Sequence, residues 1–477
     1  MTQSYVVAID NGSQSTKVSI FDDAGRVHAS ARVPLAPYVS PGPGRWEHPG
    51  DDIWESIAAA TAEALSRFDG NPSAIVAVGL CTIRFCRAVL RSDGSLAQPV
   101  MSWMDERVSR AFVPESDDAA YVTTSSGYIT HRLTGRFVDT AGNYQGAWPI
   151  DAKSWSWLEE RDAGPSQIPR RMLFDLMLPG DELGSVTAQA SARTGLPEGI
   201  PVFATSNDKA VEALGAGLRG HDSALLSLGT YIAAMVPDAE HREEVATGWQ
   251  NFSSVPHRYL WESEGVRRGM WTVAWFRDLV TGPGASAQGV GVSVEELLGA
   301  EAARVPAGSG GLVTVLDWLA PDSEPHRRGM LLGFDGTQGR AHIYRSILEA
   351  IAFAMHRNLQ ALETARDRKV EELIVAGGGA SSDLFLSIIA SVFGVPVRRP
   401  AVTDAAGLGA AICAAVGVGI HRDWEAAIDA MVRTETVFHP DAELSVTYAQ
   451  WERRALTLTD RSQRLFVELP RVGEGTS

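Results

Sequence analysis

Asp208 follows the apolar run Ile200-Pro201-Val202-Phe203 and the segment Ala204-Thr205-Ser206-Asn207, and precedes Lys209 and a small-residue helix pattern at Ala210, Ala213, Leu214 and Ala216. A carboxylate in the first turn of that helix has two available roles. It either offsets the helix dipole or faces a cleft as the base that takes a proton from an attacking hydroxyl. The second role gains weight from what comes one helix later, where Ala224-Leu225-Leu226 enters the turn Ser227-Leu228-Gly229-Thr230. Backbone N–H groups and hydroxyls in such a turn can meet an anion at the end of a strand. A related turn opens the chain, where Tyr5-Val6-Val7-Ala8-Ile9 leads into Asp10-Asn11-Gly12-Ser13-Gln14-Ser15-Thr16-Lys17. There Asp10 serves either as a turn cap or as a carboxylate that holds Mg²⁺ through water beside phosphates. Lys17 reads as a strand-end lysine in solvent. Two anion-ready turns in opposite halves suggest a nucleotide held between two domains.

Trp103-Met104-Asp105-Glu106-Arg107 sets an aromatic face, a carboxylate and a guanidinium within five residues. This suits a polyhydroxylated ligand that needs a stacking surface and paired hydrogen bonds, and it equally suits a helix start with an ion pair. Arg84 lies in the apolar stretch Leu80-Cys81-Thr82-Ile83-Arg84-Phe85-Cys86 and therefore requires a partner. Gly215-Ala216-Gly217-Leu218-Arg219-Gly220 spells the dinucleotide fingerprint, but it closes a helix and leads into a strand, which is the reverse of a Rossmann loop. It is a helix stop. Gly407-Leu408-Gly409 reads as close helix packing.

The elements that position these residues alternate between sheet and helix. A second strand at Val18-Ser19-Ile20-Phe21 makes the first turn a β-hairpin, unlike a Walker P-loop. An amphipathic helix starts from Pro49, with Asp51 and Asp52 in its first turn, and Ala74 to Leu80 forms a buried strand. The second half repeats the layout, with a long helix over Ser346 to Glu363 and a strand Leu373-Ile374-Val375 entering Gly377-Gly378-Gly379. Ser382 or Asp383 caps the helix that follows, and the glycines let backbone approach a flat ligand. Two α/β domains with a ligand cleft between them follow from this alternation.

The chain has 477 residues, 45% hydrophobic and 21% charged, enough for two or three domains. No apolar stretch approaches the roughly 20 residues of a membrane span, and no export signal precedes the first strand, so the cytoplasm is expected. A net charge of −16 without a basic run argues against nucleic acid. Cys81, Cys86 and Cys413 lack metal spacing and read as buried thiols.

Together these motifs resemble the FGGY family of carbohydrate kinases. The likeness runs through Ile9 to Lys17, Gly44 to Trp54, Trp103 to Arg107, Leu133-Thr134-Gly135, Asn207-Asp208, Ser227 to Thr230, Arg345 to Phe353, and Gly377 through Gly409. It implies an α/β fold of two actin-like ATPase (ribonuclease H-like) domains, expected at 1–219 and 220–477, closing over ATP, Mg²⁺ and a small sugar or polyol. By this resemblance Asp208 is the catalytic base and Asp10 helps hold the metal. Gly12, Ser13, Ser15, Thr16, Gly229 and Thr230 contact phosphates, and Gly378, Gly379 and Ser382 take the adenosine side. The acceptor falls to Arg84, Trp103, Asp105, Asp208 and Lys209, with Lys209 helping to keep Asp208 ionised. A homodimer is compatible with the family.

Departures bear on the substrate. The glycerol branch carries Arg-Glu where this chain has Arg84-Phe85, the Met-His of the xylulose branch is missing, and Lys209 replaces the usual Gln or Asn. The segment between Arg107 and Leu133 is short. The basic pair Arg84 and Lys209 leaves an acidic or branched sugar open, and the altered residues leave open a catalytically silent ATP- and sugar-binding regulator on the same fold.

Overall fold

The computed structural model describes residues 3–159, 164–242, 247–282, 293–321 and 324–467. Strand β1 (Tyr5–Asn11) is nearly all buried, which is why it reads as a continuous apolar run. Tyr5, Val7 and Ile9 face one core, and Val6 and Ala8 face another on the opposite side of the sheet. β1 turns through Gly12 into β2 (Ser15–Asp22), with Asn11 opposite Thr16, and β2 pairs with β3 (Val27–Pro34). Helix α1 (Asp52–Ser66) covers one face with Ile53, Trp54 and Ile57. It leads to β4 (Ile75–Thr82), parallel to β1. β5 (Glu182–Ser185) and β6 (Pro201–Ala204) complete a six-stranded sheet of order β5-β6-β4-β1-β2-β3. Helix α2 (Asp208–Gly215) leaves the end of β6 and stops where Gly217 takes φ +80°. As expected of a helix stop, the chain then enters a strand.

The second sheet repeats the first. Strands β7 (Ser223–Leu228) and β8 (Ile232–Asp238) form the hairpin around Gly229, and β9 (Trp249–Phe252) and β10 (Tyr259–Glu262) extend it antiparallel. Helices α3 (Gly269–Thr281) and α4 (Arg340–Arg366) follow, then β11 (Glu372–Ala376) parallel to β7, helix α5 (Asp383–Phe393) and β12 (Val397–Pro400). After helix α6 (Ala405–Gly417), β13 (Thr434–Phe438) closes a seven-stranded sheet of order β9-β10-β8-β7-β11-β12-β13. Each sheet contains a five-strand run in the order third, second, first, fourth, fifth, in which the first three strands pair antiparallel and the fourth and fifth run parallel to the first. This doubled ribonuclease H-like unit is the actin-like ATPase fold. α4 is longer than its apolar periodicity indicates, because its first turn rests against Gly310 and Glu301 rather than in a core.

Helix α6 belongs by sequence to the second half, yet its Leu408, Ala410, Ala411 and Ala414 pack with Val6, Ala8 and Ala77 of the first sheet and Val211 and Leu214 of α2. Small residues make that contact possible. A Cβ on Gly79 would lie 2.1 Å from the Ala410 carbonyl oxygen, so the helix touches the strand backbone itself. Among the described residues no helix is long and apolar enough to cross a membrane.

Candidate active site

Asp208 is the first residue of α2, behind Asn207, whose side chain caps the helix by accepting from the Ala210 N–H at 3.1 Å. The Asn207 amide also donates to the Phe252 carbonyl at 3.3 Å, which fastens this helix start to β9 of the second sheet. Asp208 Oδ1 is buried and has no hydrogen-bond partner, and the Arg84 Nε is 3.9 Å from it. A carboxylate oxygen without a hydrogen bond is an acceptor free to take a donor.

The next residue turns elsewhere. Lys209 Nζ donates to Glu212 at 2.9 Å and to Ser227 Oγ at 2.7 Å. Burial alone would lower its ammonium, but Glu212 first and Asp208 second hold it above its ordinary value. Lys209 is therefore a charge beside Asp208 and a brace to the second turn, and its own donors are not directed at an acceptor as the sequence reading expected.

At the first turn, Gly12 and Ser13 are half-buried at the hairpin tip, and the Gly12 N–H bonds to the Ser15 carbonyl. Thr16 departs from its expected phosphate role. Its hydroxyl is fully buried between Asn11 Nδ2 at 2.7 Å and Ser56 of α1 at 2.6 Å, because the hairpin register points it inward. Ser15 Oγ accepts from Arg32 at 2.8 Å across the strand pair. The Asp10 carboxyl is pushed up to about 8, first by burial and then by Asp404 and Asp208, with Lys17 opposing. Lys17 is not a free strand-end lysine. It pairs with Asp404 at 3.2 Å, and the same carboxylate accepts from Ser19 and caps α6 through the Gly407 N–H. Asp404 escaped the sequence reading, although a Thr-Asp before a small-residue helix is a cap signature. Asp10 thus lies under the influence of the carboxylates Asp404 and Asp208, oxygen donors of the kind that would hold a hydrated Mg²⁺. Among the described residues no three His, Cys, Asp or Glu side chains gather to hold a metal by themselves.

Arg84 reaches across to the second sheet. Its guanidinium makes two parallel hydrogen bonds to Glu262 on β10, at 2.8 and 2.9 Å, and a third to Asn251 on β9 at 3.3 Å. Phe85 adopts φ +66°, a strained value for an aromatic residue, and thereby turns the chain just after Arg84. Glu262, Asn251 and Trp249 carried no local signal in the sequence beyond an acid ending an apolar strand.

Trp103 is 47% exposed and free to stack. Asp105 is not available to a ligand: it is 1% exposed, accepts from the Trp46 N–H at 2.8 Å, and pairs with Arg107 at 2.7 Å. Burial would raise its carboxyl, but Arg107 and the backbone N–H groups hold it below the usual range. It starts a short helix, the plainer of the two readings, because Arg107 also engages Glu47 and Glu115 and fixes the loop.

The triple glycine lies against the second turn. A Cβ on Gly377 would meet the Leu228 carbonyl at 2.8 Å, and one on Gly379 would meet Leu228 and the Met270 sulfur at 2.9 Å, whereas Gly378 faces open space. Ser382 caps α5 by accepting from the Phe385 N–H at 3.3 Å, so its hydroxyl is already engaged. The N-terminus of α3 joins this cradle through the Met270 N–H, which donates to the Gly229 carbonyl, and was not anticipated from sequence. A cavity of about 630 Å³ runs from Tyr231 and Trp249 to Phe353 and Trp451, and neither Asp208 nor the turns at Gly12 and Gly229 line it.

Models of the FGGY family of carbohydrate kinases match twice, the N-terminal domain over residues 5–114 and the C-terminal domain over 224–418. A sugar kinase of Escherichia coli (strain K12), YgcE, is 45% identical over 445 residues, spanning 92% of this chain and 90% of that protein. A glycerol kinase of Dechloromonas aromatica (strain RCB) is 29% identical over 505 residues, spanning 94% and 96%. In fold, the chain is similar to xylulose kinase from Rhodospirillum rubrum (TM-score 0.79, 24% identity, 97% and 99% covered). It is also similar to Plasmodium falciparum glycerol kinase with ADP (TM-score 0.77, 16% identity, 96% and 98% covered). The chain belongs to the FGGY family of carbohydrate kinases, phosphotransferases that act on sugars.

Proposed function

We propose that this kinase transfers the γ-phosphoryl group of ATP to a hydroxyl of a free sugar or polyol, with Asp208 as general base. Nucleotide use follows from the family. The observation that carries the reading is the buried Asp208 Oδ1 at the start of α2, which accepts no hydrogen bond and lies one residue from the lysine that binds Ser227 of the second turn. A hydroxyl entering there finds an acceptor oxygen that no other donor hydrogen-bonds. Asp208 takes its proton as the oxygen attacks the γ-phosphorus in line, and the bond to the leaving ADP oxygen breaks.

Backbone N–H groups at Ser13, Gly229 and Thr230 stabilise the phosphate oxygens as charge spreads over them, with Gly12, whose own N–H holds the hairpin closed, leaving room for their approach. Asp10 would hold Mg²⁺ through water, and the ion when bound would supply positive charge at those oxygens. Gly378, Gly379 and the start of α3 accept the nucleoside, since Gly378 offers open backbone beside the Gly229 turn. Trp103 gives the acceptor a stacking face. We assign the lobes to 1–219 and 220–477, with α6 returning to the first, and place the reaction in the cytoplasm. The test is ³¹P NMR of the protein with ATP, Mg²⁺ and a panel of sugars and polyols. A new phosphate-ester resonance matched by ADP supports the reading, and ADP without an ester, or neither, contradicts it.

A further inference from the structure

The sequence left open whether the cations near the cleft select an acidic acceptor. The structure gives both cations a carboxylate of their own: Lys209 has Glu212 at 2.9 Å, and Arg84 has Glu262 at 2.8 Å. Glu262 is fully buried and its two oxygens accept from four donors, two on Arg84, Trp249 Nε1 at 3.1 Å and Asn251 Nδ2 at 2.6 Å. A carboxylate fastened by four donors does not move aside cheaply. The group beside the remaining Nε of Arg84 is itself an acid, Asp208, at 3.9 Å.

We propose that Glu262 is a specificity-determining residue that neutralises Arg84 and restricts the acceptor to uncharged sugars or polyols. An anionic acceptor would have to take both guanidinium N–H groups from a buried carboxylate that has two further bonds to polar neighbours of the same sheet. A neutral hydroxyl needs only the Nε side of Arg84, which Glu262 leaves unbonded and which lies toward Asp208. Arg84 thus acts as an orienting group rather than as an anion trap, and Glu262 acts through it as a positioning residue. The strained Phe85 supports this arrangement by aiming Arg84 at β10. The inference rests on the kinase reading for the location of the acceptor, but its charge argument is independent of turnover.

The experiment is calorimetric titration of the wild type, E262Q, E262D and the double variant R84M/E262Q with alditols of four to six carbons and with the matching aldonates, followed by ADP release with ATP and Mg²⁺. The wild type is expected to bind an alditol and reject its aldonate. E262Q is expected to bind an aldonate at least ten-fold more tightly than the wild type, E262D to restore the rejection, and R84M/E262Q to lose the gain. An aldonate preferred by the wild type overturns the proposal even if no variant folds. So does an E262Q variant that folds and gains nothing. If the binding switch appears without ADP release from any acceptor, Glu262 keeps its role and the kinase reading fails instead.

Discussion

Gly409 of α6 and Val211 of α2 touch through their backbones: a Cβ on Gly409 would lie 2.0 Å from the Val211 carbonyl oxygen. The contact is reciprocal, since a Cβ on Gly215 would lie 1.8 Å from the Ala405 carbonyl. The helix that carries Asp208 is therefore set in place by a helix from the other end of the chain.

Gly409→Ala tests that lock. With backbone rather than a flexible side chain in the way, the methyl must push the helices apart, at a cost of about 1–3 kcal/mol. A lower midpoint in thermal unfolding and a fall in kcat are expected together. An unchanged midpoint would show that α2 and α6 separate freely.

His48 supplies a pH signature. It is 1% exposed, and burial lowers its pKa to about 4. The folded protein thus keeps the ring neutral while the unfolded chain protonates near 6.5, so its contribution to stability is present above 6.5 and lost as pH falls toward 4. Over that window His48→Leu should gain on the wild type by about 3 kcal/mol. Urea unfolding at pH 7 and pH 4 reads the change, and parallel acid losses in both proteins would refute it.

Asp10→Asn removes the carboxylate assigned to hydrated Mg²⁺. The Mg²⁺ concentration for half-maximal rate should rise roughly ten-fold or more, while the acceptor KM stays near its wild-type value. A change confined to acceptor KM would move Asp10 to the sugar side.

Local signals carried much of the fold. The hairpin at Gly12, the turn at Gly229, the stop at Gly217 and the cap at Ser382 each depend on residues within a few positions, so they were legible in the chain. Thr16 was misread because its direction depends on the Asn11 register and on Ser56, 40 residues away. Asp105 was ambiguous until Trp46 and Arg107 were seen to occupy it. Arg84 plainly required a partner, but Glu262 lies 178 residues along the chain, and no spacing rule connects them. The same holds for Asp404 and Ser19, 385 residues apart. Pairs that only the two-sheet topology brings together have no periodicity to read.

The most direct measurement is acceptor-dependent ADP release by Asp208→Asn, with ATP binding measured on the same preparation. The account predicts that release falls by about a hundred-fold to ten-thousand-fold while ATP affinity is nearly unchanged, because the amide keeps the shape of the side chain but cannot take the proton. Full release from Asp208→Asn would contradict the assignment of the base.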